Sequence, residues 1–222
     1  PSRNLPVAPY VLGAWLGDGT SSSGDITGFD SEIFNQISQD GFRLSHRKND
    51  HNRCILGLKP KLRDLGVLGN KHIPKRYLRS SHEQRLALLQ GLMDTDGHCN
   101  CRGQCEITIT NPLLAKGIRE LIISLGAKCN IQESEAKLNG VFISPRYRIK
   151  FLLSEPAFRL KRKLDRQKQT GFRGTHNKRY IVDVKLIDEP VPLRCIQVDS
   201  PSHMYLCGSE MIPTHNSYFL RW

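Results

Sequence analysis

The chain has 222 residues, of which 38% are hydrophobic and 24% charged, a balance that excludes a disordered tail and fits one large or two small domains with a real core. Lysine and arginine outnumber aspartate and glutamate by 33 to 21, for a formal charge of +12, which suits a polyanionic partner, nucleic acid above all. No apolar run approaches membrane-spanning length and no secretory signal opens the sequence, so no membrane is expected. The seven cysteines are odd in number and show no disulfide spacing, which points to a reducing, intracellular compartment.

A first helix is predicted over about residues 8–18, ending in Leu16-Gly17-Asp18-Gly19. Gly24 to Gly28 alternates as a strand does. A helical segment follows with Ile33, Phe34 and Ile37 on one face. Two strands are predicted next, Phe42 to His46 and Arg53 to Gly57, and then a short helix opened by Pro60 and ending near Gly66.

The same order then returns, as a degenerate internal repeat. A second helix over roughly residues 82–96 ends in Leu92-Met93-Asp94-Thr95-Asp96-Gly97. Glu106 to Thr110 alternates as a strand. Asn111-Pro112 starts a helix as N-cap and first helical residue, with Leu113, Leu114, Ile118, Leu121 and Ile122 as its apolar side. Lys128 to Glu133 and Tyr147 to Leu153 are predicted strands, and Glu155-Pro156 is expected to open a last helix over Ala157 to Leu164. Each copy thus reads helix, strand, helix, two strands, helix. His98, Cys99, Cys101 and Cys105 contain no C-x-x-C pair, and the segment reads as a loop entering a strand in preference to a zinc site.

The two terminal acids, Asp18 and Asp96, lie 78 positions apart, about one small subdomain. Before each acid, small residues recur four apart: Gly13 and Gly17 in the first copy, Gly91 and Thr95 in the second. That spacing stacks them on one helix face and lets two helix backbones approach closely. Helices packed in this way would bring Asp18 and Asp96 side by side, and adjacent carboxylates call for a divalent metal between them.

Arg43, Ser45, Arg47, Arg53, Arg146, Arg148 and Lys150 are expected on one side of their pleats. Long side chains on strands reach base edges, and the others neutralise phosphates, so this set predicts a DNA-binding face. Any one of them is equally at home on a solvated surface; the expectation rests on the set. From residue 164 the composition changes. Residues 165–178 are polar and read as a loop or arm, Tyr180 to Ile187 returns to strand pattern, and Arg194 to Asp199 and His203 to Cys207 are short strands in a β piece too small to stand alone.

The two Asp-Gly helix ends resemble the motifs of LAGLIDADG homing endonucleases. Gly91-Leu92-Met93-Asp94-Thr95-Asp96-Gly97 is a close match, whereas the first copy has Leu16 where the family often has an earlier acid. The resemblance implies an α+β fold of two pseudo-symmetric αββαββα halves joined at their motif helices, with double-stranded DNA across the paired sheets. It further implies that Asp18 and Asp96 bind Mg²⁺ at the scissile phosphates, helped by the backbone carbonyls of Gly17 and Thr95. Metals held by carboxylates activate water and neutralise the phosphate, which is what phosphodiester hydrolysis requires. Gly69-Asn70-Lys71-His72-Ile73-Pro74 resembles the segment that carries a catalytic lysine in intein-borne members. Lys71 is therefore the expected proton-handling lysine, with Lys163 as its counterpart and Lys161 next.

The tail resembles the C-terminal blocks of an intein, in Arg194-Cys195-Ile196-Gln197-Val198-Asp199, Ser202 to Leu206, and Pro213-Thr214-His215-Asn216-Ser217. The resemblance implies a small all-β, Hint-type segment in which Asn216 attacks its own carbonyl to cut the chain. His215 and His203 would assist, and Ser217 would accept the upstream extein as an ester. Cys195, with Thr214, is either a replacement nucleophile or a helper, or else a buried structural thiol. Pro1 cannot serve as a first nucleophile and no N-terminal splicing block precedes the first motif, so the chain is expected to splice only with an N-terminal intein fragment. A serine at the insertion point suits a P-loop ATPase as host, such as a phage terminase or a replicative helicase, which places the expected source in bacteria or phage. The expected organisation is a first half over residues 1–80, a second over 81–185, a splicing segment over 186–216 and extein residues 217–222. The alternative reading is a DNA-binding module or decayed endonuclease retained in a split intein.

Overall fold

The computed structural model describes residues 2–28, 30–46, 51–167, 180–186, 188–190, 192 and 196–215. It divides into two compact units, residues 1–173 and 174–222. Among the described residues no helix is long and apolar enough to cross a membrane.

The first unit contains the repeat. Its first copy runs α1 (Pro9–Asp18), β1 (Asp25–Thr27), α2 (Ser31–Gln39), β2 (Leu44–His46), β3 (Asn52–Ile55), α3 (Leu58–Asp64) and α4 (Lys75–Leu78). The second runs α5 (His82–Thr95), β4 (Gly97–Cys99), β5 (Cys105–Ile109), α6 (Pro112–Ser124), β6 (Cys129–Leu138), β7 (Val141–Phe151) and α7 (Lys161–Leu164). The strands form two antiparallel sheets, one ordered β1-β3-β2 and one ordered β4-β5-β7-β6. The strands of each copy therefore pair among themselves, and β1-β3-β2 of the first repeats β5-β7-β6 of the second; the first copy departs from the expected αββαββα order, because among the described residues only the isolated bridge of Gly19 with Ile26 stands where the second has β4.

Helix starts follow the sequence signals. Pro9 and Pro112 occupy the first turns of α1 and α6, where a missing N–H costs nothing. Ser81 and Gln84 close a capping box at the start of α5. Alternation in the second sheet sends Cys105, Ile107, Ile109, Ile149 and Phe151 into the core, where Leu114, Ile118, Leu121 and Ile122 of α6 are also buried. Both motif helices lie deep: Tyr10 to Leu16 of α1 and Leu88, Leu89, Leu92 and Met93 of α5 are buried. Burial on all sides explains why α1 shows no amphipathic stripe, whereas α5 is buried only over its second half, from Leu88 to Asp94, apart from Gln90.

Two expectations for the second copy are corrected. The β6–β7 hairpin is far longer than the predicted strands, because Asn139 and Gly140 both take positive φ (51° and 82°) and form the two-residue turn that an Asn-Gly pair favours. The last helix is shorter than the predicted span over Ala157 to Leu164, for it begins only at Lys161. The amides of Arg159 and Leu160 instead donate to the Asp94 carboxylate, and that of Ala157 to Gln167, so these side-chain acceptors replace the helical bonding of the segment.

The second unit has a hairpin of β8 (Tyr205–Cys207) and β9 (Ile212–Thr214). Residues 180–186, predicted as a strand, pair with no strand among the described residues and are exposed. His203, predicted within a strand, has φ 51° and precedes the hairpin in a left-handed turn.

Candidate active site

The site is built on the contact between α1 and α5. A Cβ on Gly13 would overlap the Leu88 carbonyl oxygen and one on Gly91 the Tyr10 carbonyl oxygen, while one on Gly17 would overlap the Thr95 hydroxyl. Glycine is required here by backbone-to-backbone contact, as the spacing of small residues predicted. Thr95 turns its hydroxyl back onto the carbonyls of Gly91 (3.1 Å) and Leu92 (3.0 Å), which satisfies it within its own helix while it packs against Gly17.

This packing brings Asp18, the last residue of α1, beside Asp96, the C-cap of α5. Their carboxyls lie close enough for each to perturb the other. Surrounding protein pushes the Asp18 pKa up to about 6, and the Asp96 carboxylate adds to the rise, while Lys163 and Lys71 oppose it. Asp96 is raised for the same first reason and is likewise opposed by Lys71 and Lys163. Asp18 is half-buried and Asp96 exposed, so the acids end buried helices yet open to solvent.

Each acid is flanked by a lysine that caps its helix. The Lys71 ammonium donates to the carbonyls of Leu16 (3.0 Å) and Gly17 (2.9 Å) and stands over the Trp15 ring. The Lys163 ammonium donates to the carbonyls of Met93 (3.0 Å), Asp94 (2.6 Å), Thr95 (3.1 Å) and Gly97 (2.8 Å) and stands over Phe158. A cation on the terminal carbonyls complements the negative end of a helix dipole. Burial is the main cause lowering both lysine pKa values, and Asp18 and Asp96 partly restore that of Lys71. The carbonyls of Gly17 and Thr95, expected to help hold a metal, are thus also lysine acceptors.

Sequence reasoning missed Asp94. It is 1% exposed, accepts from the Tyr10 hydroxyl at 2.8 Å and from the amides of Arg159 (3.0 Å) and Leu160 (3.1 Å), and so ties the segment leading to Lys163 onto both motif helices. Burial raises its pKa while these donors oppose the rise, and burial, with the adjoining Asp94 carboxylate adding to it, pushes the Tyr10 hydroxyl up. Arg159 extends the network: it stacks over Tyr10 at 4.3 Å and donates to Gln90 (2.9 Å) and Gln36 (3.0 Å). The signal was present in Leu92-Met93-Asp94-Thr95-Asp96, because an acid next to apolar residues in the buried half of a helix must find donors.

The candidate DNA-contacting residues divide. Arg146, Arg148 and Lys150 alternate along β7 on the face opposite its core residues, across from Ser134, Gln132 and Asn130 of β6. Arg146 donates to Ser134 at 3.1 Å, and Glu106 pairs with Arg148 (3.1 Å) and Lys150 (3.6 Å). Arg43 is exposed just before β2. Arg53 is corrected: it pairs across from buried Ile26 and lies 4.3 Å over Phe34 of α2. It shares the core-facing side with Ile55, so the strand register turns it away from the face expected for Arg43. Arg47 lies outside the described residues, as do Cys195, Asn216 and Ser217. Of the other splicing candidates, Thr214 pairs with Tyr205 in the hairpin, and His203 and His215 flank it. Among the described residues no three His, Cys, Asp or Glu side chains gather as a metal cluster. Cys99 and Cys105 face each other across β4 and β5 and are buried, while Cys101 is exposed.

Residues 83–176 match the family described as LAGLIDADG-like domain. The chain is similar to the replicative DNA helicase DnaB of Mycobacterium intracellulare, at 41% identity over 219 residues, which is 98% of this chain and 36% of the relative. A shorter stretch of 27 residues, 12% of this chain and 4% of the relative, is 59% identical to the replicative DNA helicase DnaB of Mycobacterium leprae. The chain therefore spans about a third of the first relative and a small part of the second. Among solved structures, a variant of I-DmoI in complex with its target DNA in the presence of Mn aligns at TM-score 0.46 and 16% identity over 66% of this chain and 86% of the other. Mesophilic variants of the homing endonuclease I-DmoI align at TM-score 0.45 and 15% identity over 66% of this chain and 84% of the other.

Proposed function

We propose that the first unit is a site-specific endonuclease that hydrolyses both strands of a DNA duplex, with Asp18 and Asp96 as its metal-binding acids and Mg²⁺ as its cofactor. One observation carries this reading: two glycine-packed helices end in adjacent carboxyls that perturb each other, flanked by the half-buried Lys71 and the buried Lys163. Two hard oxygen donors, with no third ligating side chain gathered on them among the described residues, suit a magnesium site, since Mg²⁺ keeps several waters and is bound by one or two carboxylates plus substrate phosphates. When bound, the metal supplies charge neutralisation at the phosphate and lowers the pKa of water. The carbonyls of Gly17 and Thr95 each have a second lone pair beyond the lysine bond.

The protein residues supply the rest. Asp18 and Asp96 must be deprotonated to hold a cation, and Lys71 and Lys163 favour that state. Both lysines sit in surroundings that lower their pKa, so each can give up a proton more readily than a surface lysine and take it back at a developing alkoxide. The outer side of β7, with Arg146, Arg148 and Lys150, supplies cationic groups for phosphates and base edges. Cleavage of a plasmid carrying the host coding sequence joined across the insertion point tests the reading. Mg²⁺-dependent linearisation that is abolished by Asp96→Asn supports it; binding without cutting by both proteins would favour the DNA-binding module.

The second unit is read as the C-terminal segment of an intein, with Asn216 as the cyclising residue, Ser217 as the acceptor, Thr214, His215 and His203 in support, and Cys195 as nucleophile or helper. Similarity to a replicative DNA helicase over nearly the whole chain supports a helicase host. Addition of a matching N-terminal intein fragment should restore ligation, and ligation that persists in Asn216→Ala would refute the assignment.

A further inference from the structure

We propose that Asn111 is a positioning residue for Lys71, so that the lysine serving the first acid is aimed from the other half of the repeat. The inference rests on the endonuclease reading above. Asn111 divides its amide between two tasks. Its Oδ1 accepts from the amides of Leu113 (2.9 Å) and Leu114 (3.1 Å) as the N-cap of α6, and its Nδ2 donates to the backbone carbonyl of Lys71 at 3.0 Å. The rest of the Lys71 segment follows the same helix. Ile73 packs against Gly117, where an added Cβ would lie 3.3 Å from that of Ile73, and Arg79 pairs with Glu120 at 2.6 Å. Lys71 is thereby anchored to α6 at its backbone and to α1 at its ammonium.

The other lysine arm mirrors this arrangement. Asp30, the N-cap of α2, pairs with Arg162, Glu32 accepts from the Lys161 amide at 3.4 Å, and Gln36 accepts from Arg159 at 3.0 Å. α2 and α6 hold equivalent places in the two copies, and each clasps the lysine segment of the opposite copy. The arms differ in their remaining anchor. Lys163 is additionally held through Asp94, whereas α1 has Leu16 before its terminal Gly17-Asp18, and Lys71 depends more heavily on Asn111.

Asn111→Ser separates the two tasks, because serine caps a helix about as well as asparagine but lacks the Nδ2 donor that reaches the Lys71 carbonyl. Asn111→Asp is the second variant, which keeps the cap and replaces the donor with an acceptor. Misplacement of a catalytic group by about 1 Å costs up to about a hundredfold, so both variants should cut one strand about ten to a hundred times more slowly. Nicked plasmid should accumulate, with the same strand left intact as in Lys71→Met, while thermal midpoint and duplex affinity stay near wild type. Equal cutting of both strands at the wild-type rate would overturn the proposal, as would equal slowing of both strands with a lowered thermal midpoint. The ¹³Cε resonance of Lys71 gives a reading independent of cleavage. A shift in Asn111→Ser supports positioning even if the wild-type chain cuts no DNA, a result that would sink only the endonuclease reading. An unchanged resonance overturns the positioning role.

Discussion

Replacing Gly91 with alanine adds one methyl group at the tightest point between the motif helices. Its Cβ would overlap the Tyr10 carbonyl oxygen and lie 2.7 Å from the Ala14 amide nitrogen and 3.1 Å from the Gly13 carbonyl carbon. Ordinary contact needs about 3.5 Å, and all three neighbours are backbone, so α1 and α5 must separate by roughly 1 Å. Overpacking of this kind costs about 3 kcal/mol, the upper end of the usual range, and alanine returns up to about 1 kcal/mol in helix propensity. A net loss of about 2 kcal/mol lowers the thermal midpoint of a unit this size by about 4–8 °C. The separation also parts Asp18 from Asp96, so cleavage should fall by more than tenfold at temperatures where the variant is fully folded. Thermal unfolding followed by calorimetry, with plasmid cleavage at 20 °C, checks both effects. A variant with wild-type midpoint and wild-type cleavage would refute the claim that helix contact sets the spacing of the acids.

Other substitutions and conditions probe the same arrangement. Asp94→Ala leaves the Tyr10 hydroxyl and the amides of Arg159 and Leu160 without their acceptor, and the loss in denaturant unfolding should be about 3 kcal/mol or more. Tyr10→Phe removes one donor to Asp94 and should cost about 1 kcal/mol in the same assay. Because the Asp18 pKa is raised to about 6 in the folded chain, its contribution to stability is full below about pH 4 and is lost as pH rises through 6. The metal-free protein should therefore lose thermal stability between pH 5 and 7, and Mg²⁺ should restore most of it at pH 7.5 but little at pH 5, with protons released on binding in calorimetry. Arg53→Ala, which removes a side chain stacked on Phe34, should lower the midpoint while changing the salt dependence of DNA binding less than Arg148→Ala.

The repeat, the motif helices and their closeness were legible because glycine spacing on a helix is a local signal with one geometric consequence. Asp18, Asp96, Lys71 and Lys163 come together in the structure, and for the lysines the sequence offered only a motif and a guess. What was not legible depends on partners distant in sequence. Asn111 looks like any N-cap until the Lys71 carbonyl, 40 positions earlier, is beside its amide. Residues 157–160 have the pattern of a helix, but acceptors at Asp94 and Gln167 take their amides. Arg53 carries a charge that suits an outer position, but it shares its side of β3 with Ile55, and its register opposite buried Ile26 turns it inward. The long β6–β7 hairpin, by contrast, carries its signal locally in Asn139-Gly140.

The central claim is that Asp18 and Asp96 jointly hold a divalent cation against DNA. Crystals of the chain with a cognate duplex and Mn²⁺, measured at the manganese absorption edge, test it most directly. The account predicts anomalous density within coordination distance of both the Asp18 and Asp96 carboxylates and a DNA phosphate, and its loss in Asp96→Asn. Density that lies elsewhere, or that survives the substitution, would contradict it.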